Sequence, residues 1–118
     1  MRFLLFLFLS ASISTNTCNP KPLPSSIPEC IQLKIKALQK ADLENPPGLV
    51  YSFTYNGKVA YFFNAPCCDQ FSSLYDADCT LICHPEGGIT GKGDGNCDDF
   101  LSTSTDKKLI WQDTRTSN

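Results

Sequence analysis

Residues 49–64, LVYSFTYNGKVAYFFN, contain the strongest structural signal in the chain: two runs rich in aromatic and β-branched residues on either side of Asn56-Gly57. Asn-Gly is the preferred pair for a two-residue type I′ turn, so the segment predicts a β-hairpin. A turn of this length also sets the register of the two strands. The expected cross-strand pairs are Tyr55 with Lys58, Phe53 with Ala60, and Tyr51 with Phe62.

Both faces of this hairpin have apolar side chains, because successive side chains of a strand point to opposite faces. The first face holds Leu49, Tyr51, Phe53, Tyr55, Ala60 and Phe62, and the second holds Val59, Tyr61 and Phe63. We expect the first face to pack against a helix and the second to lie under the cysteine-rich half of the chain. An exposed aromatic binding surface is the alternative interpretation of the same residues.

A helix is predicted before the hairpin, over residues 27 to about 41. The apolar residues that recur on one face of it are Ile27, Ile31, Ile35 and Leu38, with Cys30 beside them. Ser26 and Glu29 flank Pro28 at the spacing of a capping box, in which each side chain bonds the other residue's amide. Residues 45–48, NPPG, end any helical run.

Regular structure is predicted only in short pieces after Pro66. Residues 79–83, CTLIC, form a short β-like run, and residues 108–112, KLIWQ, are typical of a last strand at a sheet edge that brings Trp111 back to the core. Together with the helix and the hairpin, these segments predict an α+β fold. We expect an N-terminal helix packed on a small antiparallel sheet, followed by a loop-rich C-terminal half that disulfides hold together.

The first residues have the pattern of a secretory signal. Arg2 precedes an apolar run, FLLFLFL at residues 3–9, and small residues follow. The run is shorter than the roughly 20 apolar residues of a membrane-spanning helix. We therefore assign residues 1–17 to a signal peptide, residues 18–26 to a tether and residues 27–118 to a single cysteine-rich domain.

Seven cysteines in 118 residues are typical of exported, cross-linked proteins. Those expected to form disulfides within the domain are Cys30, Cys67, Cys68, Cys79, Cys83 and Cys97. Their pairing is open, although separate partners are expected for the neighbours Cys67 and Cys68 because a ring joining them would be strained. Cys18 is then left over. It is lipidated as the N-terminus of a bacterial lipoprotein, pairs with Cys30, or stays free; the residues before it match a lipidation sequence poorly.

The charge balance argues against some classes of partner. Ten Lys and Arg residues against twelve Asp and Glu residues give a formal net charge of −2, and no basic run is present. Nucleic acid is therefore not an expected partner, and membrane contact would come only through a lipid on Cys18. A chain of this length is expected to form one domain and to be monomeric.

The glycine-rich segment GGITGKGDGNCDDF, residues 87–100, is the candidate binding loop. Its candidate calcium ligands are Asp94, Asn96, Asp98 and Asp99. The alternating oxygen ligands are similar to the start of a calcium loop, but Asp99 and Thr105 stand where an EF-hand needs glycine and glutamate. In the alternative interpretation the glycines form positive-φ turns, Cys97 anchors the loop and the aspartates bond nearby amides. Ca²⁺ is the one candidate cofactor.

His84 is the only histidine, and it follows Cys83 directly. The two could form a nucleophile and base, and a zinc site could be drawn from Cys79, Cys83, His84 and Cys97. Export argues against both, because a disulfide-bonded cysteine has no thiolate to attack or to bind metal. No Ser/His/Asp arrangement, phosphate loop or paired-carboxylate pattern is present, so we do not expect an enzyme.

Three segments together have a family resemblance: YFFNAPCCDQF at residues 61–71, LYD at residues 74–76 and CHPEGGITGKGDG at residues 83–95. They resemble an uncharacterised family of small cysteine-rich exported domains from Bacteroidota-type bacteria, over about residues 28–115. The resemblance implies that the six cysteines belong to the domain. It also implies a cell-envelope location, since those proteins often have lipoprotein signals, and it supplies no catalytic residues.

We therefore predict an exported, non-enzymatic binding or structural domain of the bacterial cell envelope, either periplasmic, attached to the outer membrane as a lipoprotein, or secreted. The loop from Pro85 to Phe100 is expected to face an envelope protein or a glycan. The alternatives are an inhibitor of exported hydrolases and a calcium-binding loop module. A thiol-redox protein that uses Cys67-Cys68 is a further alternative, and it requires free thiols.

Overall fold

The computed structural model describes Ser12, residues 21–67 and residues 69–116. Apart from Ser12, the predicted signal peptide lies outside these residues, as do Cys18 and Cys68. The elements in chain order are α1 (Glu29–Lys40), β1 (Leu49–Tyr55), β2 (Lys58–Phe63), β3 (Ser73–Tyr75), β4 (Leu81–Cys83), α2 (Phe100–Thr103) and β5 (Thr105–Gln112). The strands form one antiparallel sheet in the order β4-β3-β2-β1-β5. The predicted α+β class is confirmed.

The hairpin has the predicted register. Tyr55 pairs with Lys58, Phe53 with Ala60, and Tyr51 with Phe62. Asn56 and Gly57 have φ values of 52° and 75°, the positive values that a type I′ turn requires. This register places β1 and β2 at the centre of the sheet, so the local turn chemistry organises the strands on both sides of them.

The predicted last strand is also confirmed as the edge strand β5, although it begins at Thr105 rather than at residue 108. Trp111 pairs with Val50 of β1, and its ring covers Gly48, where an added β-carbon would lie 2.8 Å from the indole. Strand β3 was not predicted, because it has only three residues and follows the vicinal cysteines. It supplies the connection between the hairpin and β4.

The prediction of which layer covers which hairpin face is wrong. Helix α1 packs on the second face, where Ile31 and Ile35 are buried against Val50 and Tyr61. The cysteine-rich half covers the first face instead. The residues buried together there are Tyr55, Ala60, Phe62, Leu74, Cys83, Cys97 and Phe100. Alternation groups side chains by face, but because both faces are apolar it cannot assign a layer to each.

The predicted capping box is wrong as well. Pro28 is the N-cap residue of α1, and no side chain caps this end of the helix. The other end is held by a distant residue: Arg115 donates to the carbonyl oxygens of Leu38 (3.1 Å) and Ala41 (2.7 Å). The Arg115 guanidinium also pairs with the buried carboxylate of Asp113 at 2.7 Å. The C-terminal end of α1 is therefore capped by Arg115, a residue distant in sequence that no local sequence pattern predicts.

Two disulfides join the described residues, one on each side of the sheet. Cys30 of α1 is bonded to Cys79 in the turn before β4, and Cys83 at the end of β4 is bonded to Cys97 in the glycine-rich segment. Cys67 is disulfide-bonded too. Both covering layers are thus attached to the sheet by sulfur bridges as well as by packing.

Candidate functional site

The glycine-rich segment from Pro85 to Phe100, called the glycine loop below, is anchored at both ends on the sheet. Pro85 follows the Cys83–Cys97 disulfide, whose two cysteines are buried. At the other end Phe100 is fully buried, with its ring 5.0 Å from Phe53 and 5.4 Å from Tyr55 in edge-to-face contact. The base of the loop is therefore part of the hydrophobic core.

Backbone hydrogen bonds hold the interior of the glycine loop. The Gly93 amide donates to the carbonyl of Gly87 (3.1 Å), and the Asp94 amide donates to the carbonyl of His84 (2.9 Å). Gly93 has a positive φ, and a β-carbon there would overlap the His84 carbonyl oxygen. Only glycine allows this close approach of two backbone segments. The loop has a specific conformation rather than being a flexible linker.

The four predicted calcium ligands lie in the second half of this loop, and the exposed Asp94 is hydrogen-bonded within the loop. Its carboxylate accepts hydrogen bonds from the His84 amide (3.0 Å), the Asn96 amide (2.9 Å) and the Asn96 side chain (3.2 Å). The bond from the Asn96 amide, followed by that from His84, lowers the pKa of Asp94 below its usual value. Asp94 and Asn96 thus bond each other, as the alternative interpretation expected.

Asp99 is engaged with the hairpin. The Tyr55 hydroxyl donates to the Asp99 carboxylate at 2.6 Å, and this bond together with burial raises the pKa of Tyr55. The carbonyl of Asp99, the N-cap residue of α2, accepts from the hydroxyls of Ser102 (3.0 Å) and Thr103 (2.8 Å) in the last turn of that helix. Asp99 therefore joins the glycine loop, the short helix and β1.

Asp98, like the other three predicted ligands, is exposed to solvent. Within the residues that the structure describes, no group of three or more histidine, cysteine or acidic side chains is arranged to hold a metal ion. Calcium binding by Asp94, Asn96, Asp98 and Asp99 stays a prediction. Isothermal titration of the folded protein with CaCl₂ tests it, and a melting temperature that calcium leaves unchanged would contradict it.

The zinc and nucleophile hypotheses at His84 are wrong, because Cys79, Cys83 and Cys97 are all in disulfides and have no thiolate to offer. The His84 ring is used structurally. Its Nδ1 lies 2.7 Å from the Ser72 carbonyl oxygen, so this nitrogen bears the proton and donates, and the ring stacks on Phe71 at 5.2 Å.

The most exposed large apolar side chain among the described residues lies at the tip of the glycine loop. Ile89 is 94% exposed, between Gly88 and Thr90. The Thr90 hydroxyl accepts from the Lys92 amide at 3.3 Å, which shapes the turn that follows. Ile89 was not among the predicted site residues, although a lone β-branched apolar residue among glycines was a signal in the sequence. The Ile89 side chain therefore faces solvent at the tip of the loop.

A family model named Domain of unknown function (DUF6970) matches residues 36–113. Because the match covers more than half of the chain, the protein belongs to the DUF6970 family. No curated protein and no solved structure is significantly similar to it. The matched region includes the whole sheet and the glycine loop, whereas Cys30 of the helix-side disulfide lies before it.

Among the residues that the structure describes, no helix has both the length and the apolar character needed to cross a bilayer.

Proposed function

We propose that this protein is an exported, non-enzymatic binding domain that presents the glycine loop to a protein partner in the cell envelope. The observation that supports this most directly is Ile89, which is 94% exposed at the tip of a loop whose two ends are buried in the core. Exposing an isoleucine gives no stability to the fold itself, because its apolar surface stays in water. Such a side chain suits an apolar pocket on another protein.

The rigidity of the loop supports a binding role. Ordering a flexible loop on binding costs conformational entropy, and a loop that is already ordered avoids most of that cost. The Cys83–Cys97 disulfide and the Gly93–His84 backbone contact order this loop before any partner arrives. An apolar tip also favours a protein over a glycan, because glycans are recognised mainly through hydroxyl groups and aromatic faces.

Export is supported by the disulfides. Two intramolecular bridges among the described residues are consistent with an oxidising compartment. A periplasmic, outer-membrane lipoprotein or secreted location follows from the signal-like first residues and from Cys18. Mass spectrometry of the native N-terminus separates these cases: a diacylglycerol mass on Cys18 is the lipoprotein outcome, and an unmodified peptide that begins upstream of Cys18 excludes it.

The binding role is tested with variants that leave the base of the loop intact. Asp94 and Asp99 are unsuitable, because both make hydrogen bonds that shape the loop. Ile89→Ser instead changes a side chain that faces solvent. The matched control is Leu101→Ser, which removes another exposed apolar group, 66% exposed, outside the tip. We expect unchanged melting temperatures for both variants.

The readout is quantitative cross-linking and pull-down from envelope extracts of the native host. We expect Ile89→Ser to lose the captured proteins that Leu101→Ser retains. Equal capture by both variants and the unchanged protein would overturn the proposal for this loop. Capture that a soluble glycan displaces would assign the loop to carbohydrate instead and would also reject the protein partner.

An inhibitor of exported hydrolases is the second candidate, and the same observation favours it. A disulfide-anchored loop with one exposed apolar side chain can fill the specificity pocket of a hydrolase without losing much entropy. A panel of serine, cysteine and metalloproteases assayed with excess protein tests this candidate. Inhibition that Ile89→Ser abolishes would support it, and full activity throughout the panel would exclude those enzymes.

A further inference from the structure

The outer edge of β5 is an unpaired strand edge. Strand β5 has eight residues and pairs with β1 on one side; among the described residues no strand lies on its other side. The opposite edge of the sheet, β4, has only three residues. A long free edge has backbone donors and acceptors that can pair with a further extended chain. Two register shifts bend β5 where it pairs with β1, but among the described residues it is still the longer of the two sheet edges to which a further strand can be added.

A groove runs beside this edge. Its walls are residues 21–24 on one side and residues 109–112 of β5 on the other, with Gln39 of α1 also contributing, and it encloses about 340 Å³. Leu23 holds the first wall in place by packing against the helix-side core. We call this feature the β5 groove. The end of β5 that borders it includes Trp111.

The charge around the β5 groove has one sign. Lys21 lies in its wall, and no acidic residue is among those that line it. An adjoining depression of about 280 Å³ shares Lys21 and adds Lys36. Lys108 is exposed on β5 next to the groove. Two carboxylates lie near this edge: Asp113 is buried and paired with Arg115, and Asp106, at the far end of β5, accepts a hydrogen bond from the Thr54 hydroxyl. An acidic ligand would therefore meet mainly cations at the end of the edge that borders the groove.

A second copy of the chain fits this edge poorly. Antiparallel pairing of two β5 strands in a register centred on Lys108 would place the two Lys108 side chains opposite one another. Like charges opposite one another on paired strands are destabilising. Exposed lysines on an edge strand are a common means of preventing such self-association. They attract, by contrast, a strand with acidic side chains.

We propose that the β5 groove binds an extended acidic peptide segment of a partner protein, which adds to the sheet as a sixth strand next to β5. Main-chain hydrogen bonds along residues 109–112 would hold the peptide, and Lys21, Lys36 and Lys108 would select its carboxylates. Alternate apolar side chains of the peptide would contact Leu109, which is 54% exposed and pairs with Tyr51 on the face of the sheet away from α1. This surface is separate from the glycine loop, so the proposal does not depend on the function proposed for that loop.

The test uses the purified, disulfide-bonded protein and two synthetic octapeptides, one of alternating valine and glutamate and one of alternating valine and lysine. The fluorescence of Trp111, the single tryptophan, reports binding. We expect the acidic peptide to bind, with an affinity that falls as NaCl is raised, and the basic peptide not to bind. Binding should shift the backbone amide NMR signals of residues 109–112 and leave those of residues 87–96 in place.

Charge-reversal substitutions test whether the peptide binds in the β5 groove. Lys21→Glu and Lys36→Glu should each weaken the acidic peptide about fivefold, as expected for one exposed ion pair of about 1 kcal/mol. Lys58→Glu is the matched control at the hairpin turn and should change nothing. Equal binding of both peptides, equal effects of all three substitutions, or amide shifts confined to residues outside β5 and the walls of the groove would overturn the proposal. Concentration-dependent dimerisation that shifts the same amides would assign the edge to a second copy and would also reject it.

Discussion

Two different layers cover the two faces of the sheet. On one face lies α1, a regular helix of 12 residues with its apolar stripe of Ile31 and Ile35 turned inward. On the other lies the glycine loop, which has almost no regular structure and contributes mainly Phe100 and Cys97 to the core. The helix satisfies its own backbone groups, whereas the loop needs glycines, aspartates and a disulfide to satisfy and position its backbone. A small domain can thus cover one face of its sheet with a helix whose apolar residues recur at regular spacing. It can cover the other face with a loop that individual contacts hold in place.

The two layers differ most at Phe100, because this one side chain supplies much of the apolar surface that the loop side buries against the sheet. It is fully buried and contacts three aromatic rings, and Phe100→Ala should lower the free energy of unfolding by about 4 kcal/mol. Urea denaturation followed by circular dichroism measures the loss. Leu101→Ala, at the next and exposed position, is the control and should stay within about 0.5 kcal/mol of the unchanged protein. A similar loss for both would contradict the importance of Phe100.

Removing each of the two disulfides should affect mainly the layer that it attaches to the sheet. Replacing Cys30 and Cys79 by alanine opens a link across 49 residues and should cost about 4 kcal/mol; replacing Cys83 and Cys97 opens one across 14 and should cost about 3 kcal/mol. Both figures rest on the entropy of the unfolded chain. Hydrogen exchange should then accelerate mainly in α1 for the first pair and mainly in the glycine loop for the second. Equal acceleration everywhere would show that the layers open together.

A pair of glycines tests whether the loop face depends on one close backbone contact. Gly91 and Gly93 have the same φ of 72°, but only Gly93 faces a backbone atom, the His84 carbonyl oxygen. Gly91→Ala should cost about 1 kcal/mol, from backbone conformation alone. Gly93→Ala should cost about 2 to 3 kcal/mol, because the backbone must also shift. Thermal melts of the two variants give the comparison, and equal losses would show that the contact is unimportant.

The smallest expected effect is the dependence of stability on acid pH that comes from Asp113 on the helix side of the sheet. The hydrogen bonds from Arg115 lower the pKa of Asp113 below its usual value, so the unfolded chain binds a proton more readily than the folded one. This contribution to stability is fully present above the unfolded pKa and is lost as the pH falls through the lower, folded pKa. Asp113→Asn should cost about 1 kcal/mol at pH 7 and flatten the decline of stability below about pH 4.

The loop side offers the matched variant for this measurement. The pKa of Asp94 is lowered as well, through the Asn96 amide, and Asp94 is exposed. Asp94→Asn should therefore remove a smaller part of the acid dependence than Asp113→Asn does, because solvent screens an exposed charge. Melting temperatures between pH 2.5 and 7 for the two variants decide the order. The reverse order would place the main acid-sensitive contact in the loop.

The sequence predicted the elements that local chemistry controls. Asn56-Gly57 specified the turn and, with it, the register of β1 and β2, because a two-residue turn leaves no freedom in how the strands pair. The isoleucines of α1 specified its buried stripe through helical spacing. The last strand and its edge position followed from a short run rich in apolar residues near the end of the chain.

Only the tertiary structure decided which layer lies on which face, how the described cysteines pair, and what the loop aspartates do. Both hairpin faces are apolar, so burial alone favours neither arrangement. The partners of Cys30, Asp99 and Arg115 lie 49, 44 and 74 or more residues away in the chain, beyond the reach of any local pattern. Carboxylates that resembled metal ligands in sequence bond the hairpin and the loop backbone once folding brings these groups together.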